Sequence, residues 1–252
     1  MNIKKITFIF TFFLIIFASS LFAQEDPGVV SQPALVTKLA VLAGIALLPF
    51  AIMILTSFVK IIIVLSLFRS ALGVQQTPPN QVLTGLALLL TIFVMFPTGV
   101  SMYNASKQVI DKSATVPVFS AGSAQQIVEI IDAAKEPFKS FLQKNTLPKH
   151  IKSFYQIAER TFPEPYKDSL KPNDLIILMP SFITTQLKAA FEIGVLIYLP
   201  FFVIDLVTSN ILLAMGMMML SPLTIALPIK LLLLVMIDGW TILVQGLMMT
   251  FR

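Results

Sequence analysis

"TSFVKIIIVLSLFRSALGVQQTPPNQVLTGLALLLTIFVMFP", Thr56–Pro97, decides how this chain folds. Two apolar runs flank a polar but uncharged corner, Gln75–Gln81, which holds three glutamines, one asparagine and the pair Pro78 and Pro79. Each proline fixes φ and withholds a backbone donor, so neither run continues as helix through the corner. Two greasy arms joined by a tight polar corner read as a helical hairpin. Lys60 and Arg69 bracket the run "IIIVLSLF", and their spacing of nine residues puts them about 180° apart around a helix. For Lys60 two readings fit equally. It snorkels to an interface, or it pairs with an acid on another helix.

Composition extends this reading to the whole chain. Of 252 residues, 56% are hydrophobic and 12% charged, against roughly 25% charged in an ordinary soluble domain. Eighteen of the charged residues fall between Ser101 and Asp174. Basic and acidic residues alternate there, and no basic patch is interleaved with aromatics, so the net charge of +5 is no nucleic-acid signature. The absence of cysteine excludes disulfides, thiol catalysis and thiolate metal sites.

The first residues, "MNIKKITFIFTFFLIIFASSLFAQEDP", have the form of a secretory signal. Lys4 and Lys5 start it, Ile6–Phe17 is apolar, and Ser19, Ser20 and Ala23 supply small residues. Cleavage after Ala23 is expected, although Leu21 stands where a small residue is usual; the alternative is an uncleaved anchor helix.

Four apolar zones follow: Leu39–Phe68 with Lys60 inside, Val82–Tyr103, Ala189–Leu220 and Leu223–Phe251. About 20 apolar residues cross a bilayer as a helix, so four spans is the default. Lys60, Glu192, Asp205, Lys230 and Asp238 argue against spans simply bathed in lipid, since each costs roughly 2.5–3.5 kcal/mol there. Six prolines within or beside the zones, at 49, 97, 180, 200, 222 and 228, add to that case, because broken helices need protein or water to satisfy freed backbone groups. Region 104–174 differs in kind. Ser123 and Gln126 resemble a capping box, and Ile127, Ile130, Ile131, Ala134, Phe138, Phe141 and Leu142 follow at spacings of three and four, which predicts an amphipathic helix. Pro137 is placed to kink it and Pro148 to end it. A second helix is expected over His150–Arg160, followed by a turn-rich return.

The expected organisation is therefore a signal peptide at 1–23, an extracytoplasmic segment at 24–38 and a first apolar hairpin at 39–103. A soluble extracytoplasmic helical region at 104–174 precedes a second hairpin at 175–252. A cleaved signal places the corner in the cytoplasm. The ten Lys and Arg of 104–174 then lie outside, against the positive-inside tendency, which weakens for long loops.

Catalytic chemistry finds little support. His150 is the sole histidine, so one chain builds no histidine triad or metal cluster. Asp205 and Asp238 invite an aspartyl dyad, but ion pairing with Lys188 or Lys230 is the simpler role. No glycine-rich loop follows a strand, and no cofactor is implied. The stretch "LAMGMMML", Leu213–Leu220, is harder to dismiss. Methionine fills irregular cores, yet Met217, Met218 and Met219 fan over about 200° of a helix and cannot share one core. Gly216 before them and Ser221 and Pro222 after them mark a helix break, which suits a deformable surface or constriction.

Thr56–Pro97 closely resembles the signature of the FliP family of flagellar export-gate proteins, which is related to the SctR proteins of virulence type III secretion. Phe201–Trp240, ending in "IDGW", resembles the family's second signature. The resemblance implies an all-α membrane-associated fold of bent helical hairpins with a soluble helical insert, and a non-enzymatic role. Several copies would assemble with FliQ and FliR into a pore at the flagellar basal body of the inner membrane. FlhB and FlhA would sit at its entrance, and unfolded export substrates would pass through it. By resemblance, Met217, Met218 and Met219, with Met215 adjoining, form a gasket at the narrowest point. Lys230 matches a lysine making polar contacts between subunits. The family's usual acid is here Gln186, which leaves Glu192 and Asp205 as candidate partners. Gln75, Gln76, Pro78, Pro79 and Asn80 would form the cytoplasm-facing corner.

Overall fold

The computed structural model describes residues 42–44, 46–47, 49–50, 52–74, 77–112, 123–217 and 219–251. The expected signal peptide, the segment 24–38, Gln75, Gln76 and Met218 lie outside them. The chain divides into two units, Met1–Pro49 and Phe50–Arg252. In the first, residues 42–44, 46–47 and 49 are helical and exposed. The second unit holds the remaining helices.

Its elements are α1 (Phe58–Leu72), α2 (Asn80–Lys112), α3 (Ser123–Lys144), α4 (Pro148–Thr161), α5 (Tyr166–Ser169), α6 (Leu175–Ala214), α7 (Pro222–Met236) and α8 (Gly239–Met249). No strand occurs among the described residues. The expected all-helical fold of apolar hairpins with a helical insert is the one observed. α2 and α6 are long and apolar enough to cross a membrane, and α7 with α8, bent by 65°, form a third span if counted together.

The first apolar zone does not run as one helix. It breaks at Thr56 and Ser57, leaving α1 only 15 residues. Thr56 Oγ1 donates to the Ile52 carbonyl and accepts from the Phe58 amide, a local alternative to the helical ladder that hydropathy cannot register. α1 then buries Phe58, Ile61, Val64, Leu65, Phe68, Ala71 and Leu72, one face at helical spacing.

Two cores share α6. The first joins α1, the start of α2, the later part of α6, α7 and α8, with Phe68 edge-on to both Phe201 and Trp240 at 6.0 and 5.0 Å. Here α1 packs tightly on α6: a Cβ on Gly194 would collide with Leu67. Such close approach by small residues is how apolar helices associate where water supplies no driving force. The second core joins Phe141 and Leu142 of α3 to Leu178 and Phe182 of α6, with Val94, Met95 and Ile151 against it. The amphipathic helix is observed over Ser123–Lys144 with Pro137 inside it, and the helix expected over His150–Arg160 runs from Pro148 to Thr161.

Pro97, Pro180 and Pro200 likewise sit inside their helices. At Pro97 and Pro180 a hydroxyl four residues on, from Ser101 and Thr184, donates back to the proline carbonyl. Helix α2 also runs nine residues beyond Tyr103, carrying the apolar arm into the polar region. Its buried face is a narrow stripe of Leu83, Ala87 and Thr91, while Leu89, Ile92, Phe93 and Phe96 stay exposed.

Candidate functional site

The corner is built from its two ends. Gly73, at φ +75°, closes α1 in the left-handed conformation that L side chains resist. Pro79 opens α2, its carbonyl accepting from the Val82 amide at 2.9 Å. Across the gap, the Arg69 guanidinium donates to the Pro78 carbonyl at 3.2 Å and to Asn80 Oδ1 at 2.6 Å. The charged end of α1 therefore pins the corner, and Asn80 serves as the acceptor that holds it.

The methionine stretch forms the turn between α6 and α7. Gly216, at φ +71°, donates to the Leu213 carbonyl, and the Met217 amide reaches back to Leu212 at 3.0 Å. This paired closure is a Schellman motif, which satisfies carbonyls a helix end would leave orphaned. Ser221 stands at the N-cap position of α7 without a side-chain capping bond, and Pro222 follows in the first turn, where its missing N–H is harmless. Between these two devices Met215, Met217 and Met219 all project from the protein surface, Met219 fully. None of the three fills a core.

Beneath the turn lies Lys230, 1% exposed. Its Nζ donates to Asp205 Oδ2 at 2.7 Å and to the Ala71 carbonyl at 3.0 Å. Ala71 is in the last turn of α1, where carbonyls lack helical partners and attract cations. One ammonium thus joins three helices. Asp205 Oδ1 is buried and has no hydrogen-bond partner. Leu223, just after the turn, crowds Gly73, so that a Cβ there would lie 3.1 Å from Leu223 Cδ1 and 3.9 Å from Lys230 Nζ.

Of the two candidate partners for Lys230, Asp205 is brought to it within the subunit and Glu192 is not. Glu192 instead pairs with Lys188 on the exposed side of α6 at 2.8 Å. Gln186 is buried, and its Nε2 donates to the Asn145 carbonyl at 2.7 Å, tying α6 to the insert. Lys60, 3% exposed, follows neither expected reading. Its Nζ lies 3.6 Å from the centre of the Phe251 ring and reaches the Thr250 carbonyl at 3.4 Å, a cation–π contact in place of an acid. Asp238, at φ +49°, accepts from the Thr241 hydroxyl at 2.9 Å. It opens the bend before α8, where a Cβ on Gly239 would collide with Leu234.

Sequence reasoning missed Ala71, Gly73, Leu223 and Phe251 as parts of these sites. Gly73 alone carried a signal, a glycine directly after a helical run.

The model of the FliP family matches residues 41–247. The chain is 45% identical over 210 residues to the hypersensitivity response secretion protein HrcR of Ralstonia nicotianae, covering 83% of this chain and 94% of that one. It is 45% identical over 213 residues to the virulence protein YscR of Salmonella typhimurium, covering 84% and 95%. With the flagellar biosynthetic protein FliP of Bacillus subtilis it shares 39% identity over 232 residues, covering 92% and 98%.

Proposed function

The chain belongs to the FliP family, and from that premise we propose that it is a non-enzymatic, pore-forming subunit of a type III protein export gate in the bacterial inner membrane. The observation that carries the reading is the turn between α6 and α7. Met215, Met217 and Met219, long and flexible thioethers, stand exposed where one helix ends and the next begins. Brought together from several copies, such side chains pack shut against small solutes and still yield to an unfolded polypeptide.

The narrow buried stripe of α2 and the exposed apolar residues of α6 suit further subunits, of the FliQ and FliR type, beside copies of this chain. FlhA- and FlhB-type proteins would meet the corner at the cytoplasmic entrance. The same reading assigns residues 1–23 to a signal peptide, the corner at 75–80 to the cytoplasm and the insert to the opposite side.

Two kinds of export system compete for the subunit. Identities of 45% with HrcR and YscR, against 39% with the flagellar relative, favour a virulence-type secretion system. The longer stretch matched by the flagellar relative favours flagellum assembly at a basal body, the role that the sequence resemblance first suggested.

Deletion in the host with complementation tests both levels. Loss of effector secretion with normal swimming supports the first system; loss of hook export and swimming supports the second. Complementation with Met217, Met218 and Met219 changed together to Ala is expected to restore export while letting ions leak. A variant that assembles, exports and stays tight removes the gasket reading.

A further inference from the structure

The turn that carries the methionines is closed at its base by a contact within one subunit, where the family resemblance implies one between subunits. Asp205 lies on α6 before the turn and Lys230 on α7 after it, and their 2.7 Å contact joins the two arms of this hairpin. The same ammonium reaches the last turn of α1 through the Ala71 carbonyl, two residues before Gly73 and the corner. Leu223 against Gly73 is a second, apolar contact between the turn and the corner. Three polar atoms from three helices converge there.

Apolar side chains of similar size at both 230 and 205 would fill the space without removing charges from water, and such paired replacements commonly preserve or raise stability. What the charge adds is register. The ammonium is satisfied only where Asp205 and the Ala71 carbonyl converge, so α7 has one position along α1 and α6. Among the described residues of this chain Asp205 Oδ1 has no hydrogen-bond partner, so within the subunit the pair rests on the Oδ2 contact. Its value lies in where it holds the helices.

We propose that Lys230 is a positioning residue, an intrasubunit clasp that fixes the methionine turn by locking α7 to Asp205 of α6 and to the corner end of α1. The clasp rests on the gate reading only for its physiological meaning; the geometry it predicts is independent of it. When the clasp opens, the arms of the hairpin separate at their base and the turn loses its fixed place beside Gly73.

The test exploits the absence of cysteine from the chain. A single Leu220→Cys substitution places a unique thiol in the turn, and its alkylation by a maleimide is timed in membranes containing the full assembled complex. Adding Lys230→Met is expected to raise the rate at least about tenfold, the population change that losing one hydrogen bond to a charged group produces. Adding Lys60→Met, which removes the other buried lysine but no part of the clasp, is expected to leave it unchanged. An unchanged rate with Lys230→Met in an assembled complex overturns the clasp, as does an equal rise with Lys60→Met. Should Lys230→Met fail to accumulate, Asp205→Asn, which keeps shape and removes charge, decides by the same rate. A freed turn together with an intact seal in the methionine variants leaves the clasp standing and defeats the gasket.

Discussion

Helix α6 is anchored at both ends, and the two anchorages are chemically opposite. Toward the insert it is held by uncharged groups: Gln186 to the Asn145 carbonyl, and Thr185 Oγ1 against His150 Nδ1 at 2.7 Å and the Leu147 amide at 3.2 Å. Toward the methionine turn it is held by an ion pair with one buried member. Neutral hydrogen bonds contribute about 1 kcal/mol each and can be lost singly. A buried ion pair behaves otherwise, because removing one partner strands the other's charge. The insert joint is therefore graded, and the turn joint is all or none.

The strongest way to break the contrast lies at the insert. Phe182→Ala deletes a fully buried ring that packs on Phe141 at 5.8 Å and is expected to destabilise the protein by about 4 kcal/mol. Hydrogen exchange should localise that loss to α3, α4 and the start of α6, leaving α7 and α8 protected. Lys230→Met comes next, at about 3 kcal/mol, the low end for a broken buried pair because Asp205 is partly exposed. Thermal unfolding in detergent should show most of that loss recovered in the double variant Lys230→Met with Asp205→Leu; a loss equal in both would make the anchorage merely steric. Gln186→Leu is expected to cost about 1 kcal/mol, since one hydrogen bond disappears together with the unpartnered Oε1.

The smallest effect sharpens the insert side. Burial, joined by the Lys149 and Lys188 ammonium groups, holds the His150 imidazole below its usual 6.5. The unfolded chain then binds the proton more readily than the folded one, so stability falls as pH drops below about 6.5 and is recovered above it. The midpoint of insert unfolding should decline modestly from pH 7 to pH 5.5. His150→Gln should flatten that slope.

The hairpin over Thr56–Pro97 and both insert helices were legible in sequence because each rests on local signals: a proline pair, apolar spacing, a glycine or proline at a helix end. The methionine turn was legible for the same reason, Gly216 and Pro222 being local stops. What escaped was set by helix crossings. Asp205 was one of the candidate partners for Lys230, but nothing in "ALPIKL" says that the two meet within one subunit or that the carbonyl of Ala71 waits beside them. Lys60 was misjudged in the same way, since its partner Phe251 arrives from the far end of the chain. The break at Thr56 and Ser57 was hidden for a different reason, because both residues sit in a run that scores as uniformly apolar.

Helix α6 has 40 residues without a break, a rod of about 60 Å and twice the roughly 30 Å depth of a bilayer's hydrocarbon. It carries the insert's core at one tip and the methionine turn at the other. In mechanical terms it is a lever. A tilt of about 5° pivoting on the Gly194 contact with α1 swings a tip some 30 Å away by about 2–3 Å, on helical rise alone. That is comparable to the width of a thioether. A load on the insert and a shift of the opposite tip would then be one event, to the extent that the helix stays stiff through Pro180 and Pro200.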